Sequence, residues 1–176
     1  MNKLLKEKKY VMLRKFSKCC RYIDDLLTIN NDNFMEKWKS KIYPPELILT
    51  SDDKCDQKVN FLDLHLEIKN HQLFYRIFDK RDSFNFPIIN FPCLSGNIPT
   101  LQSYNTFTSQ LIRYGRGCQC VEDFHYRTKI LVLKLLKQFF TLTQLQITYN
   151  KFLNNYFQII RKYGTNIKRK LSDVIS

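Results

Sequence analysis

Glycine and proline are scarce in this chain, at 4 and 5 of 176 residues. That excludes a collagen-like, linker-like or low-complexity polypeptide. No two cysteines stand in a C-x-x-C pair, although six are present: Cys19, Cys20, Cys55, Cys93, Cys118 and Cys120. The histidines, His65, His71 and His125, show no ligand spacing, so a zinc motif is not in evidence. No apolar run is long enough to cross a bilayer; the longest, from Ile130 to Leu136, is interrupted by Lys134. The opening MNKLLKEKKY is charged and lacks the apolar stretch of a secretory leader. These absences lead us to expect an intracellular protein, nuclear or cytoplasmic, with free thiols and no membrane partner.

Acidic residues are also in the minority. Sixteen Asp and Glu face 29 Lys and Arg, for a formal net charge of +13. A charge of that size favours polyanionic partners, nucleic acid first among them. Hydrophobic residues make up 44% and aromatics 14%, enough for a packed core and too much for disorder. The length suits one domain with a small appendage.

Patterning divides the chain near residue 98. Residues 2–15 read as a short basic helix, with Leu4, Leu5, Val11 and Met12 among lysines. Cys19, Cys20, Tyr22 and Ile23 precede two aspartates, and Leu26, Leu27 and Ile29 follow them, giving strand, acidic turn, strand. Asp32 or Asn33 is placed to cap a helix over 34–41, which the Tyr43-Pro44-Pro45 sequence ends. Residues 46–50 form a short strand candidate. VNFLDLHLEI at 59–68 alternates, with Leu62, Leu64, Leu66 and Ile68 on one face and Asp63, His65 and Glu67 on the other. A turn at 69–72 leads to a returning strand at 73–78.

Beyond an irregular stretch at 79–100 the period becomes 3.6. Leu101, Tyr104, Phe107, Leu111 and Ile112 mark one helix; Phe124, Ile130, Leu131, Leu135 and Phe139 a second; Phe152, Tyr156, Ile159, Ile160 and Tyr163 a third. A last short helix is expected between 165 and 175. The expected class is α+β, a small antiparallel sheet module over 1–98 followed by a helical bundle over 99–176.

The sharpest chemical signal is Tyr22-Ile23-Asp24-Asp25. Adjacent carboxylates repel, and divalent cations between them relieve the repulsion. Mg²⁺ takes one or two carboxylates together with substrate phosphates, and a pair of such ions drives nucleotidyl transfer. An isolated Asp-Asp pair is more simply a solvated turn; Tyr22 before it and Leu26-Leu27 after it shift the balance. In the helical half, Arg113, Arg116, Arg127, Lys129, Lys134 and Lys137 form a candidate phosphate-binding patch, with Tyr114 and Tyr126 as candidate stacking residues. The charged segment 78–82 reads as a salt-bridged connector in preference to a nucleic-acid contact.

RYIDDLL resembles motif C of reverse transcriptases, the tyrosine-x-Asp-Asp hairpin of the polymerase palm. IYPPELIL, VNFLDLHLEI and FDKRDSFNFPIINFPCLSGNIPTLQSYNTFTSQLIRYGRGC continue the likeness. The succession is similar to the region after motif C in mobile elements of the Penelope-like or related non-long-terminal-repeat type. The resemblance implies a partial palm followed by a thumb, and an RNA-directed DNA polymerase by ancestry. It implies Mg²⁺ or Mn²⁺ on Asp24 and Asp25, and Tyr22 near the primer terminus. By chain order it implies a primer grip around Phe61, Leu62 and Asp63, and a basic thumb surface on the helical half. Its partners would be an RNA template, a DNA primer duplex and a deoxynucleotide.

The family also needs an earlier palm aspartate and a fingers region. Only 23 residues precede Asp24, and none resembles them. The expectation is a fragment without polymerase activity as this chain, its metal site depending on a missing palm. A non-enzymatic basic nucleic-acid-binding module is the alternative. A structural protein in which the Asp pair is incidental is a third reading.

Overall fold

The computed structural model describes residues 16–29, 31, 34–51, 57–86 and 88–176. The class is α+β, small antiparallel sheets followed by a helical C-terminal region. The chain divides into two compact units, Met1–Asp56 and Gln57–Ser176. The division expected at residue 98 falls within the second of these. The basic helix expected over 2–15, and the capping residues Asp32 and Asn33, lie outside the described residues.

In the first unit, β1 (Cys19–Tyr22) and β2 (Asp25–Thr28) form an antiparallel hairpin, with Cys19 facing Thr28 and Tyr22 facing Asp25. A π-helical turn, Phe34–Trp38, runs into α1 (Lys39–Ile42). Tyr43 then turns extended, at ψ 146°, ahead of Pro44. Phe16 packs edge-on against Phe34 and Trp38, at centroid distances of 6.3 and 5.1 Å. Cys19, Leu26, Ile42, Tyr43 and Leu49 close around this trio. The strand expected over 46–50 does not form. Leu49 is drawn to the aromatic cluster while Ile48 stays 81% exposed, and among the described residues no strand pairs with the segment.

The second unit opens with β3 (Lys58–Phe61), β4 (Leu64–Lys69) and β5 (Gln72–Ile77), an antiparallel sheet in that order. The single strand expected over 59–68 is therefore a tight hairpin, turning at Leu62-Asp63 with Phe61 opposite Leu64. Leu62 adopts φ 54°, a conformation that two-residue hairpins demand and leucine does not advertise. The next turn, Asn70-His71, has positive φ at both positions and uses a familiar turn residue. Register sorts the sheet into two faces. Val59, Leu66 and Tyr75 align in one row, and Phe61, Leu64 and Ile77 in another, on the core side. Lys58, Glu67 and Phe74, and then Asn60, His65 and Arg76, align on the opposite side.

A 3₁₀ turn, Lys80–Ser83, follows, its start capped by the Asp79 carboxylate, which accepts from the Arg81 amide. The helices are α2 (Thr100–Gly117), α3 (Val121–Leu136), α4 (Leu142–Asn155), α5 (Phe157–Tyr163) and α6 (Leu171–Ile175). The third expected stripe spans two helices: Tyr156, at φ −111° and ψ 61°, breaks α4 from α5. Phe107, Leu111, Phe124, Leu135, Leu145 and Phe152 are fully buried between the helices, and Ile77 carries the sheet into the same core. Two expected stripe members face outward instead: Leu101 is 73% exposed, and Phe139 lies past the end of α3 at φ 66°.

The end of α2 is where sheet and helices meet. An α-helix leaves its last carbonyls without internal partners. Here Tyr163 Oη donates to the Gly115 and Cys118 carbonyls at 3.0 and 2.6 Å. Lys162 Nζ donates to Gly115 O at 3.2 Å, Arg116 O at 3.4 Å and also to Cys118 O. A cation at a helix C-terminus also complements the helix dipole. Gly115 and Gly117 permit the approach. A Cβ on Gly115 would meet Ile159 at 2.7 Å, and one on Gly117 would run into Ile77 of β5. Just beyond, Gln119 pairs with Tyr75 as a strand residue would, its amide on Tyr75 O at 3.1 Å and its Oε1 taking the Tyr75 amide at 3.0 Å. That pairing covers part of the β5 edge.

Two expectations follow. Tyr163→Phe removes a buried hydroxyl from two carbonyls and should lower stability by about 1–2 kcal/mol, read from the urea midpoint at unchanged m-value. Second, hydrogen bonds from Lys69 and Lys58 hold the Glu67 carboxyl down at about 2, from an ordinary 4.5. A depressed carboxylate stabilises the fold above its unfolded pKa, and that contribution fades as pH falls from 4.5 toward 2. Glu67→Gln should therefore flatten this part of the acid-unfolding profile and leave the neutral-to-alkaline part unchanged in shape.

Candidate functional site

Asp24 and Asp25 stand at the tip of the β1–β2 hairpin, both exposed. Asp24 occupies the two-residue turn with Ile23, and Asp25 opens β2 opposite Tyr22, whose ring is 55% exposed. Strand alternation decides what each side chain faces. Leu26 and Cys19 point to the Phe16–Phe34–Trp38 cluster, so Asp25 and Tyr22 share the other face, away from it. Neither aspartate has an ion pair among the described residues, whereas Asp63, Glu67, Asp79 and Asp82 all have one.

The turn is strained. A two-residue hairpin loop needs positive φ at its first central residue. That residue is Ile23, at φ 50°, and a β-branched side chain is a poor occupant of this region. Its side chain is 74% exposed, so no packing compensates. Arg21 does help: its Nε donates to the Ile23 carbonyl at 2.9 Å, and its guanidinium lies 5.7 Å from the Tyr43 ring centroid. The tip is thus braced from below while its carboxylates remain free to take a ligand.

Chemically, two exposed carboxylates can share one oxygen-seeking cation with water and phosphate. They cannot by themselves hold two ions about 3.5–4 Å apart. Among the described residues no group of three or more His, Cys, Asp or Glu side chains gathers as a metal site.

The other candidates sort into distinct environments. Phe61 ends β3 half-buried, and Leu62 and Asp63 form the exposed turn beyond it. Asp63 is engaged by Arg113 of α2, through Nε at 3.1 Å and Nη2 at 2.9 Å. Arg127 pairs with Asp82 and donates through Nη2 to Ile77 O at 2.8 Å. Lys134, seven residues on and so on the same stripe, reaches Asp82 at 3.6 Å. Three of the six basic candidates therefore fasten the sheet and connector to the helices. The connector itself is salt-bridged as expected, Arg81 to Asp79 at 2.7 Å.

Lys129 and Lys137 lie on a different stripe of α3. With Tyr126 and Leu133 they fall within about 80° of the helix circumference, and Tyr126 and Leu133 are 60% and 43% exposed. Arg116 is exposed at the end of α2. Tyr114, expected as a stacking residue, is instead buried, and burial pushes its hydroxyl pKa up to about 12. Its place on the Phe107–Leu111 stripe was the sequence signal for this.

Sequence reading missed Lys162, whose role depends on a helix end 44 residues away, and the cross-strand neighbours Lys58, Phe74 and Arg76 that register sets beside His65 and Glu67. Two clefts, of ≈ 460 and ≈ 390 Å³, open beside the α4–α5 break. Lys151 is the one charged residue lining the first, and Arg116 and Lys162 line the second; neither gathers catalytic groups. No described helix is long and apolar enough to cross a membrane. Comparison of the chain with known protein families, characterised proteins and solved structures finds no significant match.

Relief of the Ile23 strain is measurable. Ile23→Asn, which suits positive φ and loses no packing, should stabilise the hairpin by about 1 kcal/mol. Amide exchange at Asp25 and Leu27, in the hydrogen-bonded pairs of the ladder, should slow correspondingly, about fivefold. Unchanged or faster exchange would mean that the bend is not under strain.

Proposed function

We propose that this chain carries the metal-binding hairpin, and the strands and helices that follow it, of a reverse-transcriptase domain from a Penelope-like or related non-long-terminal-repeat mobile element. The observation that carries this reading is the presentation of Asp24 and Asp25. They are adjacent, exposed and unpaired among the described residues, at the tip of a braced antiparallel hairpin with Tyr22 beside them. Asp63, Glu67, Asp79 and Asp82 are drawn into ion pairs; here two adjacent carboxylates stand at a bend with positive φ at Ile23. A divalent cation bridging them to nucleotide phosphates is the simplest use of that arrangement.

In this reading Asp24 is the principal metal ligand and Asp25 assists. Tyr22 packs near the primer terminus, and the Phe61–Leu62–Asp63 tip seats the primer end. Mg²⁺ would activate the primer 3′-hydroxyl and neutralise charge developing on the phosphates. The template would be RNA, and the incoming substrate a deoxynucleotide. A full two-ion site needs at least one further carboxylate brought to the hairpin, so the chain by itself is proposed to be inactive.

Two measurements test the two halves of the proposal. Mn²⁺ should broaden amide resonances around Ile23–Leu26, and the double substitution Asp24→Asn with Asp25→Asn should abolish the effect. Broadening elsewhere only would remove the metal role. Primer extension on an RNA template with Mg²⁺ or Mn²⁺ should yield no product. Robust synthesis that disappears on Asp24→Asn would refute the inactivity and keep the polymerase.

A second reading, a non-enzymatic nucleic-acid-binding module, is favoured by the open α3 stripe of Tyr126, Lys129 and Lys137 in a chain of net charge +13. Duplex binding should then weaken steeply with salt. Replacing Lys129 and Lys137 by Gln should reduce the slope of log K against log salt by about 1.8, if each lysine meets one phosphate. A slope that does not change would exclude both from the interface.

A further inference from the structure

The solvent-facing side of the β3–β5 sheet carries an excess of cations around an exposed aromatic. Cross-strand register places Lys58, Glu67 and Phe74 in one row and His65 and Arg76 in the next, with Lys69 at the end of β4. Three fixed cations thus face one carboxylate. Glu67 is held between Lys58 at 2.9 Å and Lys69 at 2.8 Å, so its charge is more than balanced. Arg76 is exposed and has no ion pair among the described residues. The field is felt locally. The His65 ring is held below its ordinary pKa by burial first and by the neighbouring Arg76 charge next. On the edge strand β5 of this face the Phe74 ring is exposed, and Lys69 Nζ lies 5.9 Å from its centroid.

We propose that this sheet face is a binding surface for single-stranded nucleic acid, separate from the α3 stripe and independent of the hairpin chemistry. Charge complementarity selects a polyanion. The exposed aromatic selects one with planar bases, because an exposed ring on a sheet can stack a base of any identity while neighbouring cations take the phosphates. Arg76 is two residues from Phe74 on the same strand, about 7 Å along it, and Lys69 lies diagonally from Phe74 on β4, opposite Gln72 and on the other side from Arg76. A base on Phe74 therefore has a cation on either side for its backbone. An anionic membrane fits less well: Phe74 is the one large apolar side chain in these rows, and interfacial anchoring needs several. A duplex would leave Phe74 without a role, since its bases are already stacked.

The test uses the full chain and a short fluorescein-labelled oligothymidylate, read by anisotropy across a salt series. Phe74→Ala and Arg76→Gln should each weaken binding about tenfold, and Arg76→Gln should also lower the salt slope by about 0.7, one phosphate contact on a single strand. Both positions are exposed, and circular dichroism checks that each variant folds. A measurement on the unsubstituted chain stands beside them: titration with the oligonucleotide should shift the amide resonances of Lys69, Phe74 and Arg76. The proposal is overturned if both variants bind as the parent does, or if the shifts appear only along α3. It is equally overturned if phosphatidylserine vesicles, and not the oligonucleotide, bind in an Arg76-dependent way. Loss of binding on Lys129→Gln and Lys137→Gln alone, with the sheet variants silent, would leave the α3 reading standing and remove this one.

Discussion

The second unit depends on how the last carbonyls of α2 are satisfied. Gly115, Arg116 and Cys118 offer carbonyl oxygens at the point where β5, α2, α3 and α5 converge. Leaving the buried ones among them unpaired would be costly. Lys162 and Tyr163, consecutive on α5, satisfy them together and bring α5 against α2. That approach requires no side chain at Gly115 or Gly117, which lets Ile159 and Ile77 sit against the helix backbone. The Gln119–Tyr75 pairing, immediately after, then sets where β5 lies. Capping, close packing and sheet placement are one constraint seen from three sides.

Charge is distributed to the same end. In a chain of net charge +13, most described acidic groups near the sheet act as struts. Asp63 holds Arg113, Asp82 holds Arg127 and Lys134, Asp79 holds Arg81, and Glu67 holds two lysines. Exposed pairs such as Asp63–Arg113 contribute little to stability, on the order of 0–1 kcal/mol. Their effect is orientation: they remove particular arginines from the free basic surface and leave others on it. Among the described residues, the cations left without an ion pair in the second unit include Lys129 and Lys137 along the α3 stripe and Arg76 on the outer sheet face. The Asp24–Asp25 tip is the converse case, two carboxylates without cationic partners among the described residues. The polymerase proposal rests on the adjacency of the two at the tip of an antiparallel hairpin beside Tyr22.

Much of this was readable from pattern. The acidic turn at Asp24, the period-two run of β4, the turn after Lys69 and the 3.6-residue stripes of α2 and α3 all follow from local alternation, which the chain displays plainly. The turn at Leu62-Asp63 was not readable. Its sequence continues the alternation of its neighbours, and no glycine or asparagine marks the positive φ that Leu62 adopts. Segment 46–50 misled for the opposite reason: strand-like residues had no strand to pair with. Tyr114 shows how a residue type suggestive of stacking is overruled by its helical phase, which turns it into the core.

The amino-acid order by itself determined the α+β class, the acidic hairpin and the excess of positive charge, because periodicity and composition are properties of neighbouring residues. Only the tertiary structure decided which cations remain free, which glycines are obligatory and which residues cap α2. Those outcomes depend on groups dozens of residues apart, such as Lys162 with Cys118 and Arg127 with Asp82, meeting in space. A hydrogen bond or ion pair acts only at contact distance, and contact between distant segments is set by packing.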